Sequence, residues 1–346
     1  MDQIGFHIRV PEHFNDIRKV IEDEVNKVIG VGDDSHNSHD SHDSNILPVP
    51  RVFQIFIADP NGYQMFFRDA ELRKQFKDYI ESKGIFLVIH ARYLDVPWKQ
   101  SPQVIGYMKK EFERSLEIGA KGFVIHLYSM DPSICTSNDH PISWLDVMVT
   151  TFEKLNPPKD LCIYLENPAS RTKCYDSDKD IKQHAIGSMY SDPHVLVKIY
   201  KTLAIKHHFN VGLCIDTAHL YSTGVSMETS KAVKSFFGTL LKHIPKDKII
   251  IHLNDSASKL GSFIDRHASL GHGNIWSNTK DGLTTLLEYG FPCILEREYE
   301  SLSQDYNTIK QITAPTHSSI SETSINPTDL LYNVLGGDIS HIVRYL

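Results

Sequence analysis

The chain has 346 residues, 41% hydrophobic and 23% charged, the balance of a globular protein large enough for a substantial core. No run of about 18 apolar residues occurs, which excludes a helical membrane span, and MDQIGFHIRVPEH lacks the basic start and apolar stretch of a secretory signal. A formal net charge of −7 is the wrong sign for nucleic-acid binding by bulk electrostatics alone, although it leaves room for a local cationic site.

In chain order, eight β-rich runs recur: QIGFHIRV from Gln3, PRVFQIFIA from Pro50, IFLVIHA from Ile85, GFVIHL from Gly122, LCIYLEN from Leu161, VGLCIDT from Val211, KIIIHLND from Lys248 and PCILERE from Pro292. Their starts lie 35 to 50 residues apart, room each time for one helix and two loops. Most are apolar without strict alternation, as parallel strands covered on both faces are. The clearest helix is 102–118: Ser101 caps it, Pro102 fits its first turn, Ile105, Met108, Phe112 and Leu116 share a face, and Gly119 stops it. Eight strands alternating with helices predict an α/β fold, a (β/α)8 TIM barrel whose site lies at the strands' C-terminal ends. A doubly wound open sheet is less favoured, because no GxGxxG follows the first strand. The barrel is expected over 1–300, with a polar low-complexity insert at 32–45 read as a solvated linker, and a C-terminal extension over 301–346. A second polar excursion spans 171–187. Five cysteines (135, 162, 174, 214 and 293) form no CxxC pair; they read as free thiols, so the expected location is an intracellular reducing compartment, cytoplasm or nucleus, or a virion or viral factory if the source is a virus.

The chemistry lies in what ends each run. The third run ends at His90, the fourth at His126, the fifth at Glu166, the sixth at Asp216, the seventh at His252 and the eighth at Glu296. Any one of them alone would read as a satisfied histidine or a rim carboxylate. Six in series at one barrel rim point to a shared pocket. His219 follows Asp216 in IDTAH, and Asp265 and His267 lie two apart in DRH, sharing a face if that loop is extended. Imidazole with carboxylate and no thiolate suits Zn, Mn or Fe, and nine ligands are too many for one four-coordinate ion. Two or three clustered metals follow, and such clusters polarise phosphoryl oxygens and acidify water. Three divalent ions would bring +6 against −4 from these carboxylates, a cationic pocket inside an acidic protein.

The set IGFH, HARYL, His126, LEN, CIDTAH, HLND, DRHASLGHG and ILE closely resembles the endonuclease IV family of apurinic/apyrimidinic (AP) endonucleases, from Ile4 to about Glu296. The resemblance implies a TIM barrel with three zinc ions. It implies hydrolysis of double-stranded DNA 5′ to abasic sites, leaving a 3′-hydroxyl and a 5′-deoxyribose phosphate, with 3′-phosphatase or 3′-diesterase activity as a further option. One zinc would take His90, His126 and Glu166; Glu166 would bridge to a second held by Asp216, His252 and Glu296; the third would take His219, Asp265 and His267. Glu166 and Glu296 are the carboxylates on which catalysis is expected to depend. Tyr93 and Leu94 would wedge into the duplex, and the expected form is a monomer. His7 matches a position near the site and reads as a core or supporting residue. The departures concern DNA handling: Ala91-Arg92 where a small-residue turn is usual, ADPNGY at 58–63 in place of a basic or polar loop, Ala257 for Lys and Trp276 for Gly.

Two other readings compete. A divalent-metal sugar isomerase or epimerase shares the barrel and some rim ligands. It needs only about four ligands and a proton-shuttling base, and has no use for His90, His126 and the DRH pair together. A non-catalytic DNA- or metal-binding barrel would have no need of the complete ligand set.

Overall fold

The computed structural model describes residues 3–8, 18–19, 21–23, 25, 51–94, 96–127, 143–169 and 188–313; the 32–45 insert, the 171–187 excursion, Cys135, Cys174 and residues 314–346 lie outside them. The apolar runs fold as parallel strands: β1 (Ile4–Ile8), β2 (Val52–Phe56), β3 (Phe86–His90), β4 (Gly122–His126), β5 (Cys162–Glu166), β6 (Val211–Asp216) and β7 (Ile249–His252). After a two-stranded antiparallel hairpin, β8 (Asp255–Ser256) with β9 (His267–Ala268), the eighth barrel strand is β10 (Cys293–Leu295). The order β1-β2-β3-β4-β5-β6-β7-β10 closes on itself, the predicted (β/α)8 barrel.

Helices cover it: α1 (Ala70–Ser82), α2 (Pro102–Glu117), α3 (Trp144–Leu155), α4 (Pro193–Tyr200), α5 (Thr217–Ser222), α6 (Ser230–Leu241), α7 (Asp281–Glu288) and α8 (Tyr299–Thr313). No helix among the described residues is long and apolar enough to cross a membrane. α2 follows its predicted span, burying Ile105, Met108 and Phe112, and stops before Gly119 at φ +84°. It starts at Pro102 with Ser101 in the N-cap position, as expected, but the cap is made by the backbone alone. The Ser101 side chain makes no capping hydrogen bond, and its carbonyl accepts from Ile105 N instead. α8 buries Leu302, Tyr306 and Ile309, and Tyr306 Oη donates to the Ile4 carbonyl at the start of the barrel.

Both faces of the strands are buried, which is why their sequences do not alternate. Val52, Val88, Val124, Cys162, Tyr164, Cys214, Ile250 and Ile294 form one cluster inside the barrel; the residues between them pack outward in the large cluster under the helices. Tyr164 fills much of the interior because its neighbours are glycines: a Cβ on Gly122 or Gly212 would stand 2.7 Å from its ring. Parity then decides the site. Side chains two residues on from the inner cluster point the same way along a strand, so His90, His126, Glu166, Asp216, His252 and Glu296 are the next inward layer, above Val88, Val124, Tyr164, Cys214, Ile250 and Ile294.

Candidate metal centre

The Glu166 carboxylate sits fully buried among four imidazoles. Its Oε2 lies 3.3 Å from His90 Nε2 and 3.3 Å from His126 Nε2; its Oε1 lies 3.2 Å from His252 Nδ1 and 3.3 Å from His219 Nδ1. Glu296 Oε2 approaches His252 Nδ1 at 3.2 Å, and Asp216 Oδ2 reaches the same nitrogen at 3.9 Å. Asp265, on the loop between β8 and β9, contacts His219 Nε2 at 3.1 Å and His267 Nε2 at 3.2 Å. Among the described residues, imidazole and carboxylate atoms close enough to share an ion fall into three interlocking sets: His90, His126 and Glu166; Glu166, Asp216, His252 and Glu296; and Asp216, His219 and His267. All nine residues picked out in the sequence thus meet in one cluster. The third set gains Asp216 as a member, with Asp265 closing on both of its imidazoles. A buried Cys214 thiol lies beside Glu166 and His252, and burial pushes it up to about 12, so it stays protonated.

The backbone orients these rings. Carbonyls only accept, so a ring nitrogen facing one must carry the proton. His90 Nδ1 faces the Ala91 carbonyl at 2.7 Å, His219 Nδ1 that of Asn167 at 2.9 Å, and His267 Nδ1 that of Glu296 at 3.1 Å. In each neutral ring the Nε2 lone pair then faces a carboxylate. His252 is reversed. Gln54 Nε2 donates to Glu296 Oε1 at 2.7 Å and contacts His7 Nδ1 at 3.0 Å, so its Oε1 accepts from His252 Nε2 at 2.9 Å and leaves Nδ1 to face Glu166. Lone pairs aimed at carboxylate oxygens repel unless a cation lies between them, a proton or a metal ion. Glu166 Oε2, buried without a hydrogen-bond partner, is part of the same pattern. The donor set fits divalent ions.

Charge follows this packing. Burial opposes ionisation of Glu166, but His126 and His252 override it and hold the carboxyl well below the usual range. Glu296 behaves likewise, burial being outweighed chiefly by His252, and falls to about 2. Burial, together with Glu166 and Glu296, raises Asp216 instead. His267 is disfavoured as a cation by burial, yet its hydrogen bond to Asp265 and the charge of Asp216 lift it to about 9. In chelator-treated protein near pH 7 this imidazole is therefore protonated, and ion uptake must expel the proton. Apparent affinity should rise with pH up to about 9 and fall roughly tenfold per unit below that from this proton alone. Calorimetry in two buffers of different ionisation enthalpy should detect proton release on metal uptake at pH 7; none would overturn the assignment.

Several residues beneath the ligands had gone unremarked in the sequence. Asn167 of LEN pairs with Asp216 through two backbone bonds, donating from Nδ2 to the Asp216 carbonyl and accepting from its N–H. Asn254 of HLND donates to Asp216 Oδ2 and Glu296 Oε2, while its backbone is held by Thr217 of IDT. Asp255 accepts four backbone N–H groups, those of Ser256, Gly271, Gly273 and Ile275, and so shapes the loop after DRH. Gln54 carried one legible signal, a lone amide at an inward position of VFQIF. Gln54→Leu should cost about 10- to 100-fold in metal affinity or turnover. Metal competition and rate measurements both at the wild-type level would dismiss its role.

The centre opens into a cavity of about 710 Å³ whose wall includes His7, Phe56, Pro60, Asn61, Tyr93 and Arg297. Tyr93 and Leu94 stand at this rim, 49% and 44% exposed. Tyr93 leans on the rings of Phe56 (5.5 Å between centroids) and His90 (5.8 Å), and burial with the charges of Glu296 and Glu166 pushes its hydroxyl to about 12, so it stays neutral. Trp276, one of the departures, is fully buried and donates to the Met227 carbonyl; it is a packing residue.

A barrel of this kind with such a rim belongs to the xylose isomerase-like TIM barrel family, whose model matches residues 51–314. Within that family the chain is a member of the endonuclease IV family of AP endonucleases. A protein of African swine fever virus named Probable AP endonuclease is 30% identical over 283 residues, 74% of this chain and 84% of that one. Probable endonuclease 4 of Nitrosopumilus maritimus is 28% identical over 273 residues, 75% and 88% of the two chains. The crystal structure of AsfvAP:AG superposes with a TM-score of 0.70 at 25% identity, covering 89% of this chain and 98% of that chain.

Proposed function

We propose that this chain is a zinc-dependent repair endonuclease that hydrolyses the phosphodiester 5′ to an abasic site in double-stranded DNA, leaving a 3′-hydroxyl and a 5′-deoxyribose phosphate. The observation that carries this is the interlocked set of eight imidazole and carboxylate residues at one rim, joined through Glu166 and Asp216, with Asp265 closing on His219 and His267. Divalent ions bound there would polarise phosphoryl oxygens and offset the charge of the phosphate. His90, His126 and Glu166 would hold the first, Glu166, Asp216, His252 and Glu296 the second, and His219, Asp265 and His267 the third, with Asp216 beside it. Glu166 and Glu296 keep their negative charge at neutral pH and are the residues on which catalysis depends. Tyr93 and Leu94 meet the duplex beside the lesion. The same centre suits 3′-phosphate and 3′-phosphodiester ends, whose reacting bond is of the same kind. Buried free Cys162, Cys214 and Cys293 suit a reducing compartment, and the barrel closes its own site within one chain, as a monomer would.

The test is incubation of purified protein with a duplex carrying one abasic site, with and without chelator, alongside a panel of ketose sugars for the isomerase alternative. Chelator-sensitive incision is the expected result, with close to three zinc ions per chain by elemental analysis. Sugar isomerisation without incision, or one ion or fewer in active protein, would overturn the reading.

A further inference from the structure

The two rim segments in which the motif pattern is broken, 58–63 and Ala91-Arg92, meet in space through one side chain. Arg92 is only 2% exposed although it lies two residues after a strand end at the pocket mouth. Its Nε donates to Glu111 Oε1 of α2 at 3.0 Å and its Nη1 to the Gly62 carbonyl at 2.8 Å. The guanidinium lies 5.3 Å from the Tyr63 ring and 4.9 Å from that of Tyr107, and those two rings pack 5.1 Å apart. Beside it, Tyr93 N donates to the Pro60 carbonyl at 3.1 Å. Burying a guanidinium is costly and persists only when charge, hydrogen bonds and aromatic faces all meet it. Here all of them do, and what they join is two loops on the rim of the cavity, both anchored to α2 through Glu111 and Tyr107.

We propose that Arg92 is a positioning residue that locks the 58–63 loop to the Tyr93-Leu94 loop, so that Tyr63, Tyr93 and Leu94 meet duplex DNA as one preformed apolar surface. Tyr63 is 56% exposed, and held by Arg92 it would be the third contact of this surface with the nucleic acid. A preformed surface avoids the cost of ordering two loops when DNA binds. The inference rests on the endonuclease reading but is separable from it.

The test compares Arg92→Met, Glu111→Gln and Tyr63→Ala with the parent chain. Hydrogen exchange at the Gly62 and Tyr93 amides, read without DNA, should accelerate in Arg92→Met and Glu111→Gln while exchange in the barrel strands is unchanged. With a duplex holding 2-aminopurine opposite the abasic site, fluorescence on binding should fall in all three. Their KM on intact duplex should rise about tenfold with kcat within a few-fold, and Arg92→Lys should restore part of the loss. In a background already carrying Tyr63→Ala, Tyr93→Ala and Leu94→Ala, Arg92→Met should add little. Unchanged exchange at both amides, or a loss that adds fully to that of the wedge variants, would overturn the clamp. Failure of the parent chain to incise would count against the endonuclease reading and leave the exchange result to judge the clamp.

Discussion

Replacing Glu166 by Gln is expected to reduce incision by on the order of a thousandfold or more while the barrel stays folded. Glu166 belongs to two of the three ligand sets and faces His90, His126, His219 and His252 at once. The amide keeps the volume but removes the charge, and with it the means of holding two ions beside one another. Each supplies several kcal/mol of charge stabilisation in phosphoryl chemistry, and about 1.4 kcal/mol is tenfold in rate. The fold does not depend on it, because the interior below is filled by Tyr164 and its apolar neighbours. Glu296→Gln should behave alike, since Glu296 shares His252 with Glu166. Circular dichroism, elemental analysis and a single-turnover incision assay read the three consequences separately. Wild-type metal content together with wild-type incision in Glu166→Gln would remove this residue from the centre.

How much of this could be read from the sequence depends on the range of the interaction. The strands were legible because burial on two faces forces continuous apolar runs, and their chemistry was legible because the ionisable residues end those runs on one parity. The packing of His219 with Asp265 and His267 was half legible: DRH could be seen as a pair, but the hairpin of Asp255–Ser256 with His267–Ala268 that swings it inward could not, each strand being two residues long. Asp216 as the member joining the second and third sets was invisible, because two residues can touch a third equally only in three dimensions. Gln54 looked like an ordinary strand residue until its partners, His7, His252 and Glu296, were known. Arg92 was seen as a departure but not explained, since Gly62 and Glu111 lie 30 and 19 residues from it in the chain. Ser101 shows the reverse error: a good capping residue type does not ensure that the cap forms when Pro102 already sets the first turn.

Replacing Tyr93 and Leu94 together by Ala should lower incision of intact duplex by roughly a hundredfold and leave action on a frayed-end abasic site within a few-fold. Unstacking a base step costs a few kcal/mol, and an inserted side chain supplies part of it. At about 1.4 kcal/mol per tenfold, the loss of about 2.8 kcal/mol gives that ratio. The frayed substrate has already met this cost, so it has little to lose. The geometry suits a wedge because the Tyr93 ring is braced by Phe56 and His90, while Leu94 beside it is half exposed. The neutral hydroxyl of Tyr93 adds no repulsion toward phosphate. Metal content should not change, because His90 is oriented by the Ala91 carbonyl, which the substitutions leave in place. Salt should weaken binding with a shallow slope, since a chain of net charge −7 neutralises few phosphates outside its pocket. Equal losses on duplex and frayed substrates would mean that the pair only supports the His90 loop, and the wedge assignment would fall.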